Sequence, residues 1–295
     1  MKKILPAGRQ VAVIGATGLL GKPVTFALAK AGYEVTALVR DPGPARKLFQ
    51  KEVKVFPGDM RNDSDLRKLL VGQEKIYLNL SVKQTEKRSD WHSESNGLKA
   101  LLPIAKDAGI QRIFYLSSLI QRYQGMNGFD WWVTRLKAEA VQMIRSSGIP
   151  STIFYPSTFM EAITTQYMQG RRLLIAGRSK HKQYFISSAD YAQQVLRAVE
   201  TNTGPDKDYV IQGSEGFLTD EALKVFKENY KKTKLSISSA PFSVVKLMGA
   251  LNPKMNYGSH IIEALNNYPE KFEAEQTWAE LGKPSVTLKE FASSI

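Results

Sequence analysis

The sequence predicts an α/β fold, in which a Rossmann-like, doubly wound parallel sheet is joined to a smaller, helix-rich C-terminal domain. Three observations carry this prediction. Short apolar runs alternate with longer amphipathic stretches up to Pro156, as in repeated β-α-β units. A glycine-rich turn stands directly after the first apolar run. Beyond Pro156 the alternation weakens, and the chain becomes mixed and then helix-rich.

The individual elements follow from the same pattern. The apolar runs are expected to be strands at 11–14, 34–39, 53–56, 75–80, 112–116 and 151–155. The amphipathic stretches between them are expected to be helices at 19–30, 64–70, 98–105 and 131–144. Pro42-Gly43-Pro44 is expected to break the chain after the second strand, and loops are expected at 81–91 and 119–130.

A further helix and strand are expected at 190–199 and 209–211. Two capping patterns, Ser187-x-x-Asp190 and Thr287-x-x-Glu290, mark helix starts. We therefore expect two domains. Residues 1–155 with 186–212 form the sheet domain, and 156–185 with 213–295 form a smaller substrate domain.

Composition excludes several classes of protein. A chain of 295 residues with 43% hydrophobic residues can bury a large core, which excludes intrinsic disorder. Cysteine is absent, so disulfides, thiolate catalysis and cysteine-bound zinc are excluded. His92, His181 and His260 are far apart in the sequence, which argues against a metal site or a Ser-His-Asp triad. No apolar run suits a membrane span or a secretory signal, so we expect a cytoplasmic protein without a membrane partner.

The net charge of +13 is concentrated in the first half of the chain. Residues 1–150 carry an excess of 11 positive charges, whereas 151–295 carry an excess of 2. No zinc finger, basic zipper or aromatic-plus-arginine RNA motif accompanies this charge, which argues against a nucleic-acid partner. Two interpretations stay open: the positive field attracts a polyanionic small molecule, or it is an ordinary solvated surface.

The glycine-rich turn has the sequence Gly15-Ala16-Thr17-Gly18-Leu19-Leu20-Gly21 and lies between a predicted strand and a predicted helix. That context is the one that dinucleotide binding requires. Gly15 permits the tight turn, Gly18 allows backbone N–H groups to approach a pyrophosphate, and Gly21 allows the helix and strand to pack closely. The helix then presents its positive N-terminus to the phosphates. The turn predicts a dinucleotide site, and the alternative is a purely structural turn.

The end of the second strand bears on the choice of cofactor. An acidic residue there would accept a hydrogen bond from the ribose 2′-OH and would favour NAD(H). The strand instead ends in Val39-Arg40-Asp41, and Arg40 can pair with a 2′-phosphate, with Lys22 adding charge. Asp41 can alternatively face the ribose. The sequence therefore predicts NADP(H) in preference to NAD(H).

The glycine turn and several later segments together resemble the atypical short-chain dehydrogenases/reductases, in particular the NmrA-like and isoflavone-reductase-like NAD(P)-binding family. The later segments are Gly58-Asp59, Ser117-Ser118, Lys137-Ala138-Glu139, 147–156, 186–192 and 281–291. The resemblance covers nearly the whole chain. It implies a Rossmann-like fold and a nicotinamide cofactor, in a family that includes isoflavone-reductase-like enzymes, quinone reductases and non-catalytic NADP sensors.

The resemblance also implies roles for single residues. Asp59 resembles an acid that contacts adenine, Ser118 resembles the family serine, and Lys137 resembles the lysine of the family's catalytic helix. The predicted substrate pocket comprises Ser118, Trp131, Trp132, Tyr155 and Phe159. The predicted cofactor site comprises Gly15, Thr17, Gly18, Leu19, Leu20, Gly21, Arg40, Asp59, Asn79, Ser81 and Lys137, and no metal is expected.

The family's usual Tyr-x-x-x-Lys pair is incomplete in this chain. In that pair the tyrosine moves the substrate proton and the lysine lowers the tyrosine pKa. Four residues before Lys137 stands Val133, which has no proton to move. The candidate catalytic residues are therefore Lys137 as acid or base, Ser118 to orient a carbonyl and Tyr155 to supply a phenol. Each has a structural alternative, namely a surface lysine, a small packing residue and a strand-end packing aromatic.

Two classes of function follow, with a third behind them. The first is an NADPH-dependent oxidoreductase that reduces a small conjugated or carbonyl substrate, such as a quinone or an enone, which needs little proton delivery by the protein. The second is a non-catalytic NADP-sensing protein of the NmrA type, which the loss of the tyrosine favours. The third is a nucleotide-sugar epimerase or dehydratase, which would normally need that tyrosine. The protein is expected to be a monomer or a homodimer.

Overall fold

The computed structural model describes residues 8–295 and confirms the predicted fold class. Its strands are β1 (Gln10–Ile14), β2 (Glu34–Val39), β3 (Lys54–Pro57), β4 (Lys75–Leu78), β5 (Arg112–Leu116), β6 (Ser151–Pro156), β7 (Met168–Gln169), β8 (Arg172–Ala176), β9 (Gln183–Tyr184), β10 (Lys207–Ile211), β11 (Gly216–Phe217) and β12 (Ser236–Ala240). Seven of them form one parallel sheet in the order β10-β6-β5-β4-β1-β2-β3. The strand order reverses between β1 and β4, and ligands bind at such switch points in open α/β sheets.

Helices cover both faces of this sheet. They are α1 (Gly21–Lys30), α2 (Pro42–Phe49), α3 (Asp63–Leu70), α4 (Leu98–Asp107), α5 (Trp132–Ser146), α6 (Ser188–Thr201), α7 (Thr219–Asn229), α8 (Phe242–Gly249), α9 (Pro253–Asn267), α10 (Glu275–Leu281) and α11 (Leu288–Ser294). Helices α1, α2 and α6 pack on one face, and α3, α4 and α5 pack on the other. Strand side chains alternate between the two cores because successive residues of a strand point to opposite faces.

The C-terminal part of the chain contains two smaller apolar cores. In one of them α7 and α11 pack against the short sheet β12-β8-β7. In the other, α9 packs against Trp131, Val133 and a short 3₁₀ turn (Leu119–Tyr123) at the carboxyl end of β5. None of the helices in residues 8–295 has the length and hydropathy needed to cross a membrane.

One predicted break is wrong, and the predicted bounds of several elements, α1 and β4 among them, are shifted by one or two residues. Residues 42–44 do not end the chain's regular structure but open α2, since proline suits a first helical turn and the Asp41 carboxylate accepts a hydrogen bond from the Gly43 N–H at 3.0 Å. Helix α1 begins at Gly21, because residues 15–20 form the turn. Strand β4 ends at Leu78, which pairs with Ile14, the last residue of β1.

Both predicted helix caps are confirmed. Ser187 Oγ accepts a hydrogen bond from the Asp190 N–H at 3.0 Å and begins α6. Thr287 and Glu290 form a reciprocal capping box at the start of α11. These short patterns were predictable because a cap involves only residues that are neighbours in the sequence.

Candidate functional site

The glycine turn after β1 packs directly against the end of β4. The Gly18 N–H donates to the Gly15 carbonyl at 3.1 Å, and Gly15 has a positive φ of 88°, which favours glycine. A Cβ at Gly15 would lie 2.1 Å from the Asn79 carbonyl oxygen, and one at Gly21 would lie 2.1 Å from the Gly15 carbonyl oxygen. Both glycines are therefore required by close packing, whereas Gly18 is exposed at the N-terminal end of α1.

A cavity of about 900 Å³ opens beside this turn, at the carboxyl ends of β1 to β4. Six of the predicted cofactor residues line it: Gly15, Thr17, Arg40, Asp59, Asn79 and Ser81. The others, Gly18, Leu19, Leu20, Gly21 and Lys137, are not part of its lining. The first four of these belong to the adjoining turn and the start of α1. All the predicted cofactor residues except Lys137 therefore lie at one edge of the sheet.

Two acidic groups at this cavity already have backbone partners. One oxygen of Asp41 accepts the Gly43 N–H and caps α2. One oxygen of Asp59 accepts the Arg61 N–H at 3.0 Å. The Arg40 side chain, by contrast, is exposed at the end of β2. One oxygen of each carboxylate is thus engaged by the backbone, and the exposed Arg40 belongs to the cavity lining.

Sequence reasoning missed two further cations in the cavity wall, Arg61 and Lys83. The Arg61 guanidinium lies over the ring of Trp91, 4.9 Å from its centroid, and Trp91 also lines the cavity. Glu86 is another lining residue, and its carboxylate lies 4.0 Å from Lys83 Nζ. Arg61 and Trp91 are far apart in the sequence, so no local pattern could have paired them.

Lys137 is held by a buried carboxylate that the sequence did not reveal. Its Nζ lies 2.7 Å from Oε1 of Glu94, and Glu94 has no exposed surface. The hydroxyl of Tyr115 donates to the same oxygen at 2.8 Å. Burial, and next the neighbouring Glu94 carboxylate, raise the pKa of Tyr115 well above its usual value. Tyr115 is therefore a neutral hydrogen-bond donor at ordinary pH, and Glu94 is the counter-ion of Lys137.

Glu94 owes its position to an unusual turn. It lies in a π-helical turn (Ser93–Gly97) that leads into α4, a geometry that is rare and is often found at functional sites. A single Glu between polar residues gives no periodic signal in the sequence. Its second oxygen, Oε2, is buried and has no hydrogen-bond partner within residues 8–295.

The place of the missing tyrosine is filled by apolar packing, with a different phenol nearby. Val133 is 3% exposed and belongs to the cluster that α9 covers. Tyr257 of α9 joins that cluster, and its ring meets Trp131 edge-on at a centroid distance of 4.9 Å. Burial, and next the carboxylates of Glu94 and Glu86, raise the pKa of Tyr257 to about 12. A phenol from the C-terminal part of the chain thus lies beside the position where the family's tyrosine is absent.

The predicted substrate residues at the ends of β5 and β6 have different surroundings. Ser118 is half-buried and begins the 3₁₀ turn that follows β5. Tyr155 is half-buried at the end of β6, with the Arg122 guanidinium 5.7 Å from its ring centroid. Burial raises the pKa of Tyr155 to about 12. The ring of Phe159 packs on Tyr191, in the core between the sheet and helices α1, α2 and α6.

The two tryptophans at the start of α5 also differ in burial and in the rings they contact. Trp131 is buried and stacks on His260 of α9 at a centroid distance of 5.3 Å. Trp132 is partly exposed and lies against the ring of His92 at 4.9 Å. Their surroundings differ because neighbouring residues at a helix start point in different directions. Contact of either ring with a substrate stays a prediction.

Comparison with known sequences identifies a family and several relatives. A model of the NmrA-like family matches residues 8–291. Quinone oxidoreductase 2 of Escherichia coli (strain K12) is 27% identical over 241 residues, which are 79% of this chain and 79% of that protein. Photosystem II assembly factor Ycf39 of Cyanophora paradoxa is 24% identical over 260 residues, which are 86% of this chain and 79% of that protein.

Among solved structures, the NADPH-dependent quinone oxidoreductase QOR2 of Escherichia coli, complexed with NADPH, superimposes with a TM-score of 0.71. The match covers 96% of this chain and 98% of that one, at 22% sequence identity. At this identity the similarity establishes the fold and leaves the chemistry to be argued from the residues.

Proposed function

Because the chain belongs to the NmrA-like family, we propose that it is an NADPH-dependent oxidoreductase that reduces a small conjugated or carbonyl substrate, such as a quinone or an enone. The observation that carries the proposal is the cavity of about 900 Å³ beside the glycine turn, with Arg40, Arg61 and Lys83 in its wall. The named activity of quinone oxidoreductase 2, a relative that matches over most of both chains, supports the same class of reaction.

The residues present fit a dinucleotide. The absence of side chains at Gly15 and Gly21 allows the turn to pack tightly against Asn79 and against itself. The N-terminus of α1, which follows the turn, suits the binding of a pyrophosphate. Arg40, which is exposed and lines the cavity, would pair with a 2′-phosphate. Asp59, Asn79 and Ser81 complete the proposed site. This arrangement supports NADP(H) in preference to NAD(H).

In the proposed reaction the bound dihydronicotinamide supplies a hydride to the substrate. The ammonium of Lys137, which Glu94 holds, would polarise the acceptor oxygen and would bond the nicotinamide-side ribose. Ser118 orients the acceptor at the end of β5. A quinone that receives the hydride becomes a hydroquinone anion, which takes up one proton from Lys137 or water. Glu94 positions Lys137 throughout.

We further propose that the second domain, 156–185 with 213–295, shapes the acceptor pocket. Its helix α9 packs beside the turn after β5 and brings Tyr257 against Trp131. In this arrangement Tyr257 would supply the phenol that is missing because residue 133 is a valine. Tyr155 is the alternative proton donor. The pocket would then be closed from both sides by aromatic side chains, which suits a flat substrate.

A second candidate function is favoured by the replacement of the tyrosine. With Val133 in its place and the charge of Lys137 balanced by Glu94, the chain would bind NADP(H) without reducing a substrate and would dock onto a protein partner. The similarity to photosystem II assembly factor Ycf39 supports a role of this kind.

One assay separates the two proposals. A panel of quinones, enones and aldehydes is tested for NADPH oxidation, with NADPH binding measured in parallel. Turnover with any member supports the enzyme if it is lost in Gly18→Val, because a side chain there would keep the pyrophosphate from the backbone N–H groups. Tight NADPH binding without NADPH oxidation by any compound of the panel supports the sensor proposal. Absence of NADPH binding contradicts both proposals.

A further inference from the structure

The outer helix α8 and the turn after it carry an exposed apolar stripe. Val244, Leu247, Met248 and Leu251 are spaced i, i+3, i+4 and i+7, so they lie on one side of the helix. They are 46%, 71%, 47% and 88% exposed. Four large apolar side chains exposed within eight residues form a patch of the kind that marks an interaction site.

The stripe lies in a part of the chain without carboxylates. Segments 162–189 and 229–262 together contain ten lysines and arginines and no aspartate or glutamate. All ten cationic residues are exposed. The small excess of +2 over residues 151–295 therefore conceals two segments of strong positive charge, because acidic residues elsewhere in that half offset them in the count.

The fold brings the two segments together beside α8. Strands β8 and β12 pair in parallel up to Ala176 and Ala240. The Gly177 N–H then donates to the Ala240 carbonyl at 3.0 Å, and the Lys180 N–H donates to the Asn266 carbonyl at 2.8 Å. The loop 177–182 thus runs between the start of α8 and the end of α9.

Five exposed cations consequently lie on or next to α8: Arg178, Lys180 and Lys182 on the loop, Lys246 on α8 itself and Lys254 at the start of α9. The nearest acidic group on the packed helices is Glu263, 3.5 Å from Lys246 Nζ. One carboxylate does not balance five cations. The apolar stripe is therefore set in a positive field.

We propose that α8 docks onto the surface of an anionic lipid bilayer, with the stripe inserted among the acyl chains near the headgroups and the surrounding cations on the phosphates. A short amphipathic helix with lysines beside its apolar face is suited to this interface. The contact is a surface adsorption, and it is independent of the reaction proposed above.

The charge argues against a second copy of the chain as the occupant. A two-fold interface through this stripe would place the same cations of both copies against each other. Four side chains also bury much less area than the roughly 1,000 Å² that a stable protein interface needs. Nucleic acid would engage the cations but would leave the stripe unused.

The test is co-sedimentation of the full chain with vesicles of phosphatidylcholine alone and of phosphatidylcholine with about one third phosphatidylglycerol. Binding is expected only to the anionic vesicles and is expected to weaken with salt. The double variant Leu247→Ser/Leu251→Ser should weaken it at least about tenfold, and Lys180→Glu/Lys182→Glu should do the same. The matched control is Val71→Ser, which removes an equally exposed apolar side chain at the end of α3.

Three outcomes would overturn the proposal. One is the absence of binding to anionic vesicles by the unaltered chain. Another is vesicle binding that the stripe variant leaves unchanged, since charge alone would then explain it. The third is a dimer, seen by light scattering, that the stripe variant dissociates while vesicle binding is absent. Because the stripe is exposed, thermal unfolding of each variant should match the unaltered chain, which keeps a loss of binding interpretable.

Discussion

The ammonium of Lys137 lies 2.7 Å from the Glu94 carboxylate, which is fully buried and also accepts the Tyr115 hydroxyl. Lys137 is therefore not an ordinary surface lysine. A buried carboxylate needs its partners, because removing one of them leaves an unpaired charge in a low-dielectric environment. Stability and chemistry are thus coupled at this pair.

Glu94→Gln should destabilise the protein by about 2–3 kcal/mol, because the amide keeps the shape but removes the counter-ion of Lys137. Urea unfolding at pH 7 measures this change. Lys137→Met should destabilise as well, and the double variant should cost clearly less than the two single changes added together. Additive costs would show that the pair does not interact energetically.

Lys137→Met should lower turnover at saturating NADPH by about 10²–10⁴-fold if Lys137 acts as acid or base. Steady-state kinetics with separate NADPH titration distinguishes this from weaker cofactor binding. The matched control is Lys99→Met, which changes an exposed lysine on α4. It should leave turnover unchanged. Unchanged turnover in Lys137→Met would reduce that lysine to a ribose contact.

Tyr257→Phe should reduce turnover of aldehydes by about 10–100-fold while leaving quinone reduction nearly unchanged, because only the carbonyl reaction depends strongly on a proton donor. Tyr155→Phe is the matched comparison, since burial also raises its pKa to about 12. The assay is kcat for one aldehyde and one quinone with each variant. If only Tyr155→Phe affects the aldehyde, the phenol comes from β6 and not from α9.

Arg40→Ala should weaken NADPH binding by about 10- to 150-fold and leave NADH binding nearly unchanged, because a charge-assisted contact to the 2′-phosphate is worth about 1.5–3 kcal/mol. Calorimetric titration with both cofactors measures the difference. Arg67→Ala is the control, because Arg67 is an exposed arginine of α3 outside the cavity lining. Equal affinity of the unaltered chain for NADPH and NADH would contradict the role of Arg40.

Stability should fall as pH rises from about 5 to about 7, because of Glu270. Burial raises the pKa of this carboxyl from 4.5 to about 7, although Gln212 and Ser157 donate hydrogen bonds to it. In that window the folded state holds a proton that the unfolded state has lost, so folding weakens with pH, by about 2–3 kcal/mol in total.

Glu270→Gln should flatten this pH dependence and should stabilise the protein at pH 8. Urea midpoints at pH 5, 6, 7 and 8 provide the measurement. Glu52→Gln, which changes an exposed carboxylate that is not among the groups affecting Glu270, should keep the slope of the unaltered chain. A parallel slope in Glu270→Gln would assign the effect to another group.

The glycine turn shows how far sequence reasoning reached. Its strand, spacing and following helix are local features, so the place of Gly15, Gly18 and Gly21 was predictable, and Arg40 followed from the end of the next strand. The start of α2 was mispredicted, although Asp41 before Pro42 is itself a local helix-start signal. There the Asp41 cap outweighs the turn propensity of the Pro-Gly-Pro run.

Sequence alone determined the parallel α/β sheet, the glycine turn and the absence of the expected tyrosine at Val133, because each depends on residues that are close in the chain. Only the tertiary structure decided that Glu94 pairs with Lys137, that Tyr257 lies beside Trp131, and that the loop 177–182 lies next to α8. These relationships join residues that are 43, 126 and more than 50 positions apart. Their geometry is set by how whole elements pack, since buried charges and aromatic rings find partners across space and leave no periodic trace in the sequence.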